Sequence, residues 1–272
     1  MGLRIQNNIE AFNAHRQLSA TAAKAAKSME KLSSGYRINR AADDAAGLAI
    51  SEKMRGQIGG LAQAQRNAQD GISLVQTAEG SLNEVHSMLG RMRDLKVEYQ
   101  NGVLSDDDKA AIVSEAKALT DEINSIQSTT KFNGVSLLDS SASISFQVGA
   151  NSGETVSITT SDLTGASGVA GVSGVTDTAS FEALSIDDID TAIGNVSTMR
   201  GNFGAVQNRL EHRLTNLATY QENLTSSESR IRDVDMADEM TNFSKLGILQ
   251  QAGTAMLAQA NQAPQNVLSL LK

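Results

Sequence analysis

Apolar residues recur every three or four positions over most of this chain, the spacing that places them on one face of an α-helix. The first such run predicts a helical seam that ends at Gly35, because glycine commonly follows the last turn of a helix. The small side chains in this seam favour close packing against another helix. The members of the seam are Leu18, Ala22, Ala25, Met29 and Leu32.

A second run predicts a longer helix, from about Asp44 to about Tyr99, with a length of roughly 80 Å. Ser105 is then expected to cap a third helix, whose first turn holds three aspartates at the end where the helix dipole favours negative charge. The segments "SISFQVG" and "TVSITTS" alternate apolar and polar residues around a glycine-rich turn, which predicts a β-hairpin.

Helix returns at about Ser185 and carries the strongest periodic signal in the chain. Five apolar residues stand seven positions apart, which is typical of a coiled-coil seam. They are Phe203, Leu210, Leu217, Leu224 and Ile231.

The fold class expected from these patterns is mainly α, a long antiparallel coiled-coil helical rod with a small β-hairpin element in the middle of the chain. Residues 1–42 and 235–272 are expected to form paired terminal helices. Residues 43–234 are expected to form the rod, with the hairpin at about residues 135–180 and no further large insertion.

Composition agrees with long helices packed through small residues, since aromatic residues make up 3% of the chain and only one proline is present. The net charge is −8, so the chain has no overall basic signature for nucleic acid. Residues 1–40 nevertheless hold seven basic and two acidic residues. This asymmetry indicates either electrostatic contacts between copies or a solvated helix face.

Several kinds of chemistry find no support in the sequence. The absence of cysteine excludes disulfides and thiolate catalysis, and the three histidines lack the spacing of a metal site. No apolar run is long enough to insert in a membrane, and the first residues do not resemble an ordinary secretory signal. We therefore expect no enzyme activity, no catalytic residues, no bound metal and no cofactor.

The stretch "SSGYRINRAADDAAGLAI" could form an active site, an anion cradle or a structural joint. Asp43 and Asp44 are adjacent, so on a helix they would point about 100° apart and could not face one substrate. The simpler interpretation is that one of them caps a new helix while Arg37 and Arg40 pair with nearby acids.

The terminal segments carry apolar seams with few large side chains, so a pair of such helices would be marginally stable alone. We hypothesise that these ends are disordered or frayed in the monomer and fold on assembly. The residues expected to pack there are Ile5, Ile9, Phe12, Leu18, Met29, Leu32, Phe243, Met256, Leu268 and Leu271.

The chain resembles the bacterial flagellins over nearly its whole length. The motifs that carry the resemblance stand in the family's order: "IQNNIEAFNAHRQL", "KLSSGYRINRAADDAAGLAISEKMRGQI", "NAQDGISLVQTAEGSLNEVHSMLGRMRDL", "KFNGVSLL" and "ANQAPQNVLSLLK". Only residues from about 140 to 180 lack a recognisable family sequence. A hook–filament junction protein, which shares such termini, and a coiled-coil signalling module are the rival interpretations.

The resemblance implies a structural subunit that self-assembles into the extracellular flagellar filament. The terminal helices would form its inner core and the rod its outer tube, with Arg37, Arg40, Asp43 and Asp44 at the joint between these layers. Export would proceed unfolded through the flagellar type III system. The implied partners are further copies of the chain, a secretion chaperone at the C-terminal segment, and the filament cap and hook-junction proteins.

The resemblance also implies recognition by the animal innate receptor Toll-like receptor 5. The receptor-contacting residues of the family fall on Arg91, Leu95 and Glu115 of this chain.

Overall fold

The computed structural model of the chain describes residues 8–160, 162, 163, 165 and 169–269, with side chains described up to residue 262. Helices dominate these residues, and the strands are short. In chain order the elements are α1 (Ile9–Ser34), α2 (Ala45–Tyr99), α3 (Asp106–Thr129), β1 (Lys131–Phe132), β2 (Val135–Ser136), β3 (Ser143–Gln147), β4 (Thr155–Thr159), α4 (Thr178–Ala183), α5 (Ile186–Arg232) and α6 (Met236–Ser269).

The mainly α fold class with a small β-hairpin is confirmed. Strands β3 and β4 pair antiparallel, with Ser143 opposite Thr159 and Gln147 opposite Thr155. The structure differs from the predicted hairpin region in two ways. A second, shorter antiparallel pair joins β1 to β2, and the short helix α4 overlaps the C-terminal end of the region expected to hold the hairpin. A capping box between Asp177 and Ser180 begins α4, a local signal that the periodicity does not reveal.

The ends of the first three helices follow from specific residues. Gly35 adopts a left-handed conformation with φ of 75°, and its N–H donates to the Lys31 carbonyl, which closes α1. Asp44 begins α2 by accepting a hydrogen bond from the Gly47 N–H at 2.9 Å. Ser105 begins α3 in a capping box with Asp108.

The chain divides into two compact units. The terminal unit comprises Met1–Gly56 and Asn223–Lys272, and the central unit comprises Gln57–Glu222. Both boundaries fall inside a helix, because α2 and α5 each contribute to both units. The cores of the two units differ strongly.

The central unit contains a continuous apolar core. Helices α2 and α5 run antiparallel there, since Gln65 bonds to Gln221 and Arg93 bonds to Asp190. The apolar run along α2 is fully buried in this core, and burial of that surface is its main source of stability. The run consists of Val75, Ala78, Leu82, Val85, Leu89 and Met92.

In the terminal unit, α1 and α6 pair antiparallel. The Asn8 side chain at the start of α1 donates to the Ala260 carbonyl at 2.7 Å, and Ser28 near its end donates to the Glu239 carboxylate at the start of α6. Gly253 lets the helices approach closely, because a Cβ there would lie 3.2 Å from a methyl group of Leu18.

The seam predicted along α1 is wrong at one position. Met29 is exposed, and the buried position next to it is occupied by Ser28, whose hydroxyl reaches Glu239. A polar residue can hold this position because its hydrogen bond offsets the cost of burial. Ile5 and Leu271 lie outside the described residues, as does the side chain of Leu268.

Candidate joint and assembly sites

The segment between α1 and α2 is fastened to the turn between α5 and α6 by backbone hydrogen bonds. The Arg37 N–H donates to the Arg232 carbonyl at 2.7 Å, and the Val234 N–H donates to the Gly35 carbonyl at 3.0 Å. Tyr36 and Asp233 form the antiparallel bridge between these bonds. The end of α1 and the start of α6 are therefore held at one place, which we call the joint.

Asp43 organises the loop that leads into α2. Its carboxylate accepts hydrogen bonds from the N–H groups of Asn39 at 3.2 Å and Arg40 at 3.1 Å, and Lys27 lies 2.6 Å away. The Lys27 ammonium, helped by the backbone N–H of Arg40, lowers the pKa of Asp43 from 3.8 to about 2. Both oxygens of this carboxylate already bind groups of the protein: one binds Lys27, and the other binds the backbone of the loop. This arrangement indicates a structural role rather than a catalytic one.

The two arginines of the joint have different partners. Arg40 pairs with Glu30 at 2.9 Å, as an arginine beside a nearby acid would be expected to do. Arg37 has no acid partner among the described residues, and its guanidinium instead donates to the Ile231 carbonyl at 2.5 Å. The expected acid pairing of Arg37 is therefore wrong, because the carbonyl groups of the last turn of α5 lie closer to it.

Four residues of the joint have roles that the periodicity did not indicate. Ile38 is 1% exposed, and its Cδ1 lies against Gly47 in the first turn of α2. The Arg232 guanidinium bonds to Glu52 at 2.6 Å and lies 4.9 Å from the centre of the Tyr36 ring. For Ile38, the sequence offers one signal, because it is the only aliphatic residue inside "YRINR". Arg232 and Glu52 gave none, since they are 180 positions apart.

The paired helices α1 and α6 expose many large apolar side chains. Among the candidate packing residues, Leu18, Leu32 and Phe243 are half-buried. Phe12 is 70% exposed and Met256 is 64% exposed. The large side chains exposed on the terminal unit are Ile9, Phe12, Met29, Tyr36, Ile50, Met236, Met240, Ile248, Leu249 and Met256.

The three candidate receptor-contacting residues lie in the central unit but are not equally available. Arg91 and Glu115 form a two-pronged ion pair at 2.7 and 3.1 Å between α2 and α3. This pair raises the pKa of Arg91 and lowers the pKa of Glu115. Leu95 is buried in the core, so its side chain offers no surface to a partner.

Across the part of the chain that the structure describes, no three histidine, aspartate or glutamate side chains are grouped so as to hold a metal ion. No helix in that part combines the length and the apolar character needed to cross a membrane.

Comparison with known proteins finds a matching family at both ends of the chain. The bacterial flagellin N-terminal helical region matches residues 5–143, and the bacterial flagellin C-terminal helical region matches residues 186–271. A flagellin of Halalkalibacterium halodurans is 53% identical over 271 residues, which cover 98% of this chain and 99% of that protein. A flagellin of Bacillus subtilis is 48% identical over 305 residues, which cover 99% of this chain and 100% of that protein.

Among solved structures, a protein assigned as a flagellar hook-associated protein of Vibrio parahaemolyticus has a TM-score of 0.59 and 19% identity. The similarity covers 70% of this chain and 100% of that chain, and it shows a shared fold only. The two matched family regions and the full-length relatives together lead to one assignment. This chain belongs to the bacterial flagellin family, and it is a structural component of the flagellar filament rather than an enzyme.

Proposed function

We propose that this chain polymerises with many copies of itself through α1 and α6, so that residues 1–42 and 235–272 form the inner core of the filament. Residues 43–234 form the surrounding tube and carry no large outer domains. The chain acts mechanically, as a building block of a stiff helical filament that serves motility.

The observation that carries this proposal is that the terminal unit buries very few of its apolar side chains. Among its described side chains, Ile38 is the only hydrophobic one that is buried, whereas large apolar side chains are exposed along both α1 and α6. Exposed apolar area of this extent is unusual for a monomer and marks an interaction surface. Further copies of the same helices are of the right length and chemistry to cover it.

The contacts of the joint support a role for it in connecting the proposed layers. Arg37 and Asp43 bond mainly to backbone groups, and Asp44 caps α2, so these residues set where the inner helices end and the outer ones begin. Arg40 is exposed and bonds to Glu30, so it can also meet a neighbouring copy. We propose that the four residues hold neighbouring segments or subunits in register.

Family membership also supports a proposal about how the chain is exported and where the filament lies. We propose export in an unfolded state through the flagellar type III system, which places the filament outside the cell. The exposed apolar residues of α6 would need cover before export, which fits a secretion chaperone at this segment. The filament cap and hook-junction proteins would then meet the same terminal helices at the ends of the polymer.

Recognition by Toll-like receptor 5 is a proposal that rests on family membership and on two of the three candidate residues. Arg91 and Glu115 are exposed and fixed to each other, so they can present one charged contact. Leu95 would support that surface from below, since it is buried. Activation of a receptor reporter by the wild-type monomer, and loss of activation in Arg91→Ala, would support this contact.

The central test is polymerisation of purified protein with and without residues 240–272, followed by electron microscopy. The full chain should form filaments and the truncated chain should not. A finer pair of variants places the same charge at two positions of α6: Ile248→Lys on the exposed apolar surface and Gln251→Lys at an exposed polar position. Only the first should block assembly. Normal filaments from the truncated chain would contradict the proposal.

A further inference from the structure

One side of α5 in the central unit carries a group of polar residues that the joint and the terminal helices do not use. Arg209, His212, Arg213 and Asn216 stand at intervals of three, one and three positions, so they share one face of the helix. Together with Val156 of β4 they line an open cleft of about 370 Å³, which we call the basic cleft.

The two arginines of the basic cleft lack the side-chain partners that the other arginines of the central unit have. Arg91, Arg93 and Arg200 each pair with a carboxylate, and Arg66 bonds to Gln63. By contrast, neither arginine of the cleft has an ion pair or a hydrogen bond to any described residue.

The acidic residues beside the cleft do not pair with its arginines. Glu154 interacts electrostatically with Arg213, but its carboxylate accepts hydrogen bonds from Asn151, which lower its pKa. Glu211 accepts a hydrogen bond from Gln207 one turn away on α5. The guanidinium groups therefore remain able to bind a further carboxylate, and arginine does this in a two-pronged geometry.

A matching pair of unused carboxylates lies at the start of α3. Asp108 is occupied by the capping box with Ser105. Asp106 and Asp107 are exposed, and neither has an ion pair or a hydrogen bond among the residues that the structure describes. The central unit thus carries two unpaired arginines on one surface and two unpaired aspartates on another.

These two surfaces are too far apart to meet within one chain. The contacts Gln65–Gln221 and Glu79–Arg200 place the basic cleft beside the α2 residues between them. The aspartates follow Tyr99, the last residue of α2. At least 20 helical residues separate the two levels, which corresponds to roughly 30 Å along α2.

We propose that the basic cleft receives Asp106 and Asp107 of a second copy of the chain, an inference that rests on the proposed polymerisation. Two different surfaces at different levels of one unit make a head-to-tail contact, and such a contact builds the open helical polymer that a filament requires whenever its rotation does not close into a ring. The ion pairs fix the longitudinal register of the copies and speed their association, in a way that salt weakens.

The test compares the double reversals Arg209→Glu/Arg213→Glu and Asp106→Lys/Asp107→Lys with a chain that carries all four changes. Each double reversal should raise the critical concentration for polymerisation about tenfold, because it sets like charges against each other. The fourfold variant, which restores opposite charges, should return close to the wild-type value. Sedimentation of seeded filaments gives the critical concentration.

Two controls separate the contact from other effects. Arg66→Glu/Lys117→Glu makes the same change in net charge at exposed positions of the central unit and should polymerise like the wild type. Asp106→Asn/Asp107→Asn removes the acids without placing cations at a helix N-terminus, and it should still raise the critical concentration. Circular dichroism of each monomer should show unchanged helix content.

Three results would overturn the inference. If Arg209→Glu/Arg213→Glu polymerises at the wild-type critical concentration, the basic cleft takes no part in assembly. Failure of the fourfold variant to recover, when both double reversals are defective, assigns the cleft to another acidic surface. Failure of the wild-type chain to polymerise would instead remove the proposed function itself, and the contact with it.

Discussion

At the scale of single residues, two adjacent aspartates with the same chemistry perform different tasks. Asp44 caps α2 through one hydrogen bond from Gly47. Asp43 points back and joins Lys27 to the backbone of the preceding loop. The pair looked like candidate catalytic carboxylates, but their side chains diverge because the chain turns into a helix between them.

We expect Asp43→Asn to lower thermal stability at pH 7 and to have a smaller effect near pH 2. The pKa of Asp43 falls from 3.8 to about 2 in the folded chain, so its carboxylate stabilises the fold above the unfolded value. That contribution is lost as the pH falls from about 4 towards 2. Thermal unfolding followed by circular dichroism at pH 7, 4 and 2 measures it.

Asp121→Asn is the matched control, because Asp121 is exposed and its oxygen lies 4.0 Å from the Lys117 nitrogen. It should change stability little at any of the three pH values. A difference between Asp43→Asn and the wild type that stays constant down to pH 2 would show that the Asp43 charge is not responsible.

A buried lysine gives the second prediction at this scale. Lys96 lies in the core of the central unit, where burial lowers its pKa, and its ammonium donates to the carbonyls of Phe181 at 2.7 Å and Glu182 at 3.2 Å. The ring centre of Phe181 is 4.9 Å away. Lys96 therefore fastens the last turn of α4 to α2.

Lys96→Met keeps the apolar stem but removes the donor, so both carbonyls lose their partner. We expect the free energy of unfolding to fall by about 2 kcal/mol. Denaturant unfolding of the full chain measures it, with the exposed Lys117→Met as the control. A more stable Lys96→Met chain would show instead that the cost of burying the charge exceeds the value of its hydrogen bonds.

At the scale of elements, hydrophobic periodicity predicts the long helices but does not predict the short helix that packs with them. The predicted start of α2 near Asp44 and end near Tyr99 agree with the observed Ala45–Tyr99. Runs of this length repeat the helical signal many times. Helix α4 has six residues, too few to show a period, and was missed.

The joint could be predicted only in part, for a related physical reason. Gly35 and the cap of α2 are local features, and they can be predicted from neighbouring residues. The bond from Arg37 to Ile231 and the bond from Arg232 to Glu52 join distant segments. Such contacts depend on how helices meet, which no spacing within one segment specifies.

The close approach of α1 and α6 at Gly253 allows a test of their pairing. Gly253→Leu should push the helices apart and weaken their pairing by about 1–3 kcal/mol, since its side chain would overlap Leu18. Gly247→Leu places the same side chain on the same helix where nothing lies within 4 Å of a Cβ, and it should stabilise α6 through helix propensity.

Hydrogen exchange at residues 9–34 reports this pairing. In the assembled polymer, where these helices are expected to be ordered, Gly253→Leu should speed exchange there, whereas Gly247→Leu should not. Equal exchange in the two variants would show that the contact at Leu18 does not hold the helices together.

At the scale of the whole molecule, the two units differ in how they are stabilised. The central unit buries its apolar residues within itself, while the terminal unit leaves most of its large ones exposed. Local stability follows buried apolar contact, so the units should open with different free energies. The hypothesis that the ends of the chain fold fully only on assembly rests on this difference.

We expect amide hydrogen exchange in the monomer to be fast at residues 9–32 and 240–262 and slow along α2 and α5 of the central unit. In the polymer, exchange in the terminal helices should slow by several orders of magnitude, because neighbouring copies cover them. Strong protection of the terminal helices in the monomer would contradict the hypothesis.

Four of the large apolar side chains exposed on the terminal unit are methionines, namely Met29, Met236, Met240 and Met256. A thioether in water is open to oxidants, and its sulfoxide is polar and no longer suited to an apolar contact. An unassembled subunit would therefore lose its ability to join the polymer after mild oxidation, whereas an assembled one would be shielded by its neighbours. The surface proposed to drive assembly would thus expose the free subunit to oxidation, and incorporation into the filament would protect it.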